Sequence, residues 1–128
     1  MNIYIGADHR GFELKTKLVP YLIENGHSVV DVGALEYSVT DDYPVFARKV
    51  AEAVINDKGS RGIVLCGSGI GVSIVSNRMS GARAALCTDA DSARSARNDD
   101  DANILALGAD EITEHHTVEV VEAFLSTP

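Results

Sequence analysis

Residues Ile63 to Ser73 read IVLCGSGIGVS, an apolar run that ends in Cys66 and is followed by glycines at 67, 69 and 71. A glycine-rich turn that opens a helix presents unpaired backbone N–H groups and the positive end of the helix dipole, so it attracts negative charge. Two nucleotide-binding patterns fail here. Gly-x-Gly-x-x-Gly needs its third glycine at 72, where the chain has Val72, and the phosphate loop needs Gly-Lys-Ser/Thr, a triplet that does not occur. A third use fits the residues better. The thiolate of Cys66, favoured at a helix start, would take a proton from a carbon beside a carbonyl while the loop amides hold the enediolate oxygen. A plain structural role fits too, with Cys66 a small apolar residue at a strand end and the glycines permitting a tight turn. The first loop, GADHRG, sets Asp8 and His9 side by side. They would bind or titrate against a substrate, or Asp8 would simply cap the helix that follows.

Those loops need a scaffold, and the sequence alternates short β-rich runs with longer segments of helical spacing, the pattern of a parallel sheet covered by helices on both faces. Strands are expected at Ile3 to Ile5, Ser28 to Val32, Gly62 to Leu65, Arg83 to Leu86 and Ile104 to Leu107. A helix over GFELKTKLVPYLIENG carries Phe12, Leu14, Leu18, Tyr21 and Leu22 on one stripe and ends at Gly26, although Pro20 in its interior argues against an unbroken helix. A second, over YPVFARKVAEAVIND, buries Val45, Phe46, Val50 and Val54 and tolerates Pro44 in its first turn. Further helices are expected over Ile70 to Met79, Ala90 to Arg97 and Glu114 to Leu125. Right-handed crossovers then give a doubly wound, Rossmann-type α/β sandwich whose expected strand order, by analogy with the commonest small example, is 2-1-3-4-5. Ligands of such sheets sit beyond the carboxyl ends of the strands, where strand order reverses, which selects the loops after strands one and three.

At 128 residues with 45% apolar composition the chain reads as one domain, 1–128. Eleven Lys and Arg against nineteen Asp and Glu give a net charge of −8 and a pI near 4.8. Phosphate-backbone binding needs clustered positive charge, so nucleic acid and anionic membranes are poor partners. No apolar run has membrane-spanning length and the N-terminus lacks a secretory pattern, so a cytoplasmic protein is expected. Cys66 and Cys87 are the only cysteines, without zinc-finger spacing, so neither a disulfide scaffold nor a metal site is expected. Cys87 reads as core. His115 and His116, lacking an evident third ligand, read as a solvated helix start, His27 as a turn residue, and NDDDAN as a local acidic cluster.

Five segments together carry a resemblance: GADHRGFELK from Gly6, DDYP from Asp41, CGSGIGVSIVSNR from Cys66, GARAALC from Gly81 and DDANILALGA from Asp100. In this order they resemble the ribose-5-phosphate isomerase B family, which includes the subunits of galactose-6-phosphate isomerase, over nearly the whole chain. The resemblance implies a flavodoxin-like fold and a cofactor-free, metal-free aldose-ketose isomerase acting on a small sugar or sugar phosphate. It also implies a homodimer, with a tetramer as the larger possibility, in which each site is completed by the partner subunit. Cys66 would move the proton between C1 and C2, the amides of Gly67, Ser68, Gly69, Ile70 and Gly71 would hold the enediolate, and Ser68, usually a threonine in relatives, would assist ring opening. Asp8 would contact sugar hydroxyls, His9 the phosphate end, and Tyr43 would line the pocket.

The departures from the family pattern cluster. A His-Asn pair common in the family, whose histidine serves ring opening across the dimer, is here Asp99 and Asp100, and an arginine that commonly follows the LGA segment and reaches the phosphate is Asp110. The sequence ends at Pro128, where relatives usually continue into a Gly-Gly-Arg-His-like tail with further phosphate contacts. Carboxylates at such positions repel a phosphate dianion, so an altered substrate specificity is expected, with Asp99 in the ring-opening role. The alternative is a non-catalytic binding or regulatory subunit that needs a different partner chain.

Overall fold

The computed structural model describes residues 1–128. Five strands alternate with five helices: β1 Asn2–Ala7, α1 Phe12–Glu24, β2 Ser28–Gly33, α2 Tyr43–Ile55, β3 Arg61–Cys66, α3 Ile70–Asn77, β4 Ala84–Leu86, α4 Ala90–Asp100, β5 Ile104–Gly108 and α5 Glu114–Ser126. All strand pairs are parallel. Side chains alternate across the sheet, so Ile63 and Leu65 of β3 join Ile3, Ile5, Leu105, Leu107 and Phe124 in one core beneath α1, α4 and α5. Val64 and Cys66 face the other core, with Val50, Val54, Val72, Ile104 and Ala106 beneath α2 and α3. No helix is long and apolar enough to cross a membrane.

The strand order is β2-β1-β3-β5-β4, which corrects the expected 2-1-3-4-5. The physical reason lies in the last two strands. Every residue of β5 is buried, as ILALG requires when both faces are covered, whereas β4 has three residues and ends on the exposed Leu86. A short, half-exposed strand belongs at an edge and a wholly apolar one inside. The doubly wound class and the reversal between β1 and β3 are as expected, so the loops after these strands meet at one end of the sheet.

Helix α1 runs unbroken through Pro20. Thr16 and Pro20 are both exposed, so the carbonyl that loses its partner faces water. It closes at Gly26, whose φ of +88° few other residues adopt. Helix α3 stops two residues short of expectation because the Asn77 side chain turns to the β4 edge, accepting from the Ala84 N–H at 2.7 Å and donating to its carbonyl at 2.9 Å. His115 and His116 start α5 in solvent, beside Glu119. There the Thr113 Oγ1 accepts from the His116 N–H at 3.1 Å. Thr113→Ala is expected to lower stability by about 1 kcal/mol, seen as a fall in the urea midpoint with an unchanged m-value.

Candidate active site

Cys66 is the last residue of β3, 5% exposed, and its Sγ accepts a hydrogen bond from the Gly69 N–H at 3.2 Å. The loop can fold back on the sulfur this way because Gly69 has φ +78°. A Cβ there would stand 2.9 Å from the Gly108 nitrogen and 2.5 Å from a Leu86 methyl. The Ser68 Oγ accepts from the Ile70 N–H at 3.1 Å, closing the turn into α3. The N–H groups of Gly67, Ser68 and Gly71 find no acceptor within the chain, as the first amides of a helix do. The loop is thus a cradle of backbone donors around one thiol.

Two side chains lie on the loop at its remaining glycines. The Tyr43 ring packs on Gly71, where a Cβ would come within 2.5 Å of its Cε1, and the Arg10 guanidinium lies across Gly67, where any Cβ would overlap it. Together with Asp8, Ile70 and Ile74 they line a cleft of about 370 Å³ over Cys66. Asp8 is 5% exposed, and its Oδ1 accepts from the Arg10 and Gly11 N–H groups at 3.0 and 3.1 Å. Asp8 thus closes the turn before α1 and faces the cleft, but it is not the expected helix cap: the N-cap of α1 is Gly11, with no side-chain cap.

The residues expected at the site divide into three groups. Cys66, Ser68, Asp8, Tyr43, Gly67, Ile70 and Gly71 line the cleft, and Gly69 lies behind it on β5. His9 turns to the adjoining groove, where it meets the Tyr37 ring edge-on at 6.4 Å. Asp99 is exposed in the last turn of α4, beside the start of β5, whereas Cys66 pairs with Gly108 at the end of β5. Four residues of strand, ~13 Å, separate the two levels, so Asp99 does not reach the Cys66 cleft of its own chain. Burial pushes the Cys87 thiol up, Ser92 partly opposing and Asp89 adding to it. With 3% exposure Cys87 is the core residue expected.

Two contacts were not legible in the sequence. Asp41 Oδ1 accepts from the His9 backbone N–H at 2.8 Å and lies 2.9 Å from the ring Nδ1, fixing the first loop from 32 residues away. Its Oδ2 is buried without a partner. Arg10 donates to the Asp110 carboxylate, which stands on the turn whose Ala109 and Asp110 N–H groups donate to the Cys66 and Gly67 carbonyls at 2.8 and 3.0 Å. Asp110 therefore sits beside the cleft, paired to its one arginine.

The sequence model of the Ribose/Galactose Isomerase family matches residues 3–128. The chain belongs to this family. The ribose-5-phosphate isomerase B of Mycobacterium leprae is 41% identical over 128 residues, covering all of this chain and 79% of that protein. The solved ribose-5-phosphate isomerase B of Clostridium thermocellum superposes with a TM-score of 0.96 at 42% identity, covering 99% of this chain and 85% of that one. That of Mycoplasma genitalium, solved with bound ribulose-5-phosphate, gives 0.95 at 37% identity, covering 98% and 84%. In this family member the cradle, the thiol and Asp8 form one cleft, with Asp110 beside its rim and Asp99 at the far end of the sheet.

Proposed function

We propose that the chain is an aldose-ketose isomerase in which Cys66 is the base, acting on a small sugar or sugar phosphate with a weaker demand for phosphate than its relatives' names imply. The observation that carries this reading is the Cys66 sulfur set against the amides of the Gly67 to Gly71 turn, in a cleft that also holds Asp8. The open-chain aldose lies with C2 against Sγ. The thiolate takes the C2 proton, the electron pair moves onto the carbonyl oxygen, and the free amides of Gly67, Ser68 and Gly71 hold the resulting enediolate. The proton on O2 passes to O1 and the same thiol returns its proton to C1, giving the ketose. Asp8 accepts from sugar hydroxyls, Tyr43 forms the wall opposite, and the Ser68 hydroxyl assists ring opening. His9, held by Asp41, faces the far end of the sugar.

The working unit in this reading is a homodimer, since Asp99 reaches a Cys66 cleft only from a second chain, where it exchanges the ring-opening proton. Asp110 sets the specificity. By occupying Arg10 it leaves the rim without a free cation and adds a carboxylate that repels a dianion. Asp110→Asn is expected to lower KM for ribose 5-phosphate about tenfold, while kcat and the KM for free ribose stay within about twofold. The difference should shrink as salt is raised, because the pair is exposed. Equal KM changes for the two sugars would remove Asp110 from specificity.

The reading as a whole is tested by proton NMR in heavy water, following loss of the C2 proton in free and phosphorylated tetroses, pentoses and hexoses. Exchange with at least one sugar, absent in Cys66→Ala, is the expected result. Exchange that persists in the variant would transfer the base to another group, and exchange with no sugar would end the catalytic reading.

A further inference from the structure

At the other end of the sheet, where β3 and β5 begin, a cavity of about 380 Å³ is lined by Lys58, Ser60, Arg61, Arg97, Asp101 and Asn103 among others. It shares no residue with the Cys66 cleft. We propose that it binds a small oxyanion dianion of the phosphate class, inorganic phosphate or the phosphate group of a metabolite.

Arg61 is the main argument. Its side chain is nearly sealed in, with 8% exposure, its Nη1 donates to the Phe124 carbonyl, and its guanidinium lies 5.5 Å from the centre of the Phe124 ring. It takes part in no ion pair. A buried charge without a counter-charge is among the costliest features a fold can hold. A second guanidinium, that of Arg97, is close by and also largely buried. It uses Nη1 on Asp101 at 2.9 Å and on the Ala102 carbonyl at 2.6 Å, and Nε on the Thr127 carbonyl at 3.4 Å. Burial, and then Arg97, pull the Arg61 guanidinium below its ordinary value, with Asp101 pulling the other way.

Three cations and one carboxylate thus face the cavity, in a chain whose net charge is −8. The carboxylate is committed to Arg97. Lys58 is exposed and free of ion pairs. The Ser60 Oγ, fully buried, has no hydrogen-bond partner, whereas Asn103 is spent on Gly81 and Arg83. What remains open is dominated by donors: the Ser60 hydroxyl, the Arg61 Nε and Nη2 and the Lys58 ammonium, beside the one Asp101 oxygen that Arg97 does not take. Tetrahedral oxyanions match such a set, since guanidinium forks fit their oxygens and two negative charges offset two uncompensated cations.

The probe is inorganic phosphate, titrated into the full-length protein at constant ionic strength and followed by ¹H–¹⁵N NMR. Saturable shifts at the Lys58 to Arg61 amides, with a Kd in the ~millimolar range, are expected, together with a melting temperature that rises with phosphate but not with chloride. Lys58→Ala, an exposed change that leaves the fold alone, should weaken this binding about 3- to 10-fold, and Arg61→Met should abolish both responses. Should Arg61→Met fail to fold, Lys58→Ala and Ser60→Ala still decide the matter. Shifts confined to Gly67 to Gly71, an equal response to chloride, or wild-type titration by Lys58→Ala and Ser60→Ala would each overturn the proposal.

Discussion

Cys66→Ala is expected to lower sugar isomerisation by about 10³-fold, within the 10² to 10⁴ range that a positioned base supplies, and to lower C2 deuterium exchange equally. The two must fall together if one thiol both removes and returns the proton. The fold should survive, because the change deletes a single buried sulfur between Val64, Val72 and Ala106, a loss of about 1 kcal/mol by the usual price of a small cavity. A denaturation curve on the same sample separates that loss from the loss of rate. Cys66→Ser sharpens the result. Its hydroxyl can still accept the Gly69 N–H that the sulfur accepts at 3.2 Å, so the loop stays in place, yet a serine hydroxyl does not ionise near neutral pH and activity should remain as low as in the alanine variant. Should exchange in Cys66→Ala stay within tenfold of wild type, the base is another group, and Asp8 is the carboxylate nearest at hand in the cleft.

The glycine-loop half of the cleft was legible because its signals are local. An apolar run, a thiol and glycines at 67, 69 and 71 are contiguous, and a doubly wound sheet tells in advance which ends of the strands carry ligands. What escaped was non-local. Strand order at the β4 edge depends on which strand the helices cover on both faces, and although ILALG against AAL held that information, analogy with a common topology overrode it. The bond between His9 and Asp41 joins residues 32 apart, and that between Arg10 and Asp110 joins residues 100 apart. The expected third strand begins at Gly62, whereas β3 begins one residue earlier, at the buried Arg61. Lys15, off the apolar stripe of α1, is nevertheless 1% exposed, its ammonium reaching Asp31 at 2.9 Å and the Ala34 carbonyl. A periodicity argument cannot see the partner that draws such a charge inward.

Gly69→Ala tests the amide cradle without touching any group that moves a proton. At φ +78° an alanine is strained by about 1 to 2 kcal/mol. Its methyl would also meet the Leu86 side chain at 2.5 Å and the β5 backbone, Leu107 C and Gly108 N, at 2.9 Å. Leu86 can give way, but β5 is the buried interior strand and cannot, so the loop must move. That displacement withdraws the Gly69 N–H from Cys66 and shifts the free amides of Gly67, Ser68 and Gly71 relative to the sulfur. A misplacement of about 1 Å in such a site is worth roughly 10²-fold in rate, and the loss should appear in kcat more than in KM because the amides serve the enediolate and not the bound sugar. Gly26→Ala is the matched control. Gly26 has φ +88° with nothing within 4 Å of the added methyl, so it suffers the same backbone strain far from the cleft and should lose about 1 kcal/mol of stability with kcat unchanged. If both variants kept wild-type kcat, the glycine loop would be a turn and no more. If only Gly69→Ala loses kcat, the strain is not the cause, and the position of the amides around the thiol is.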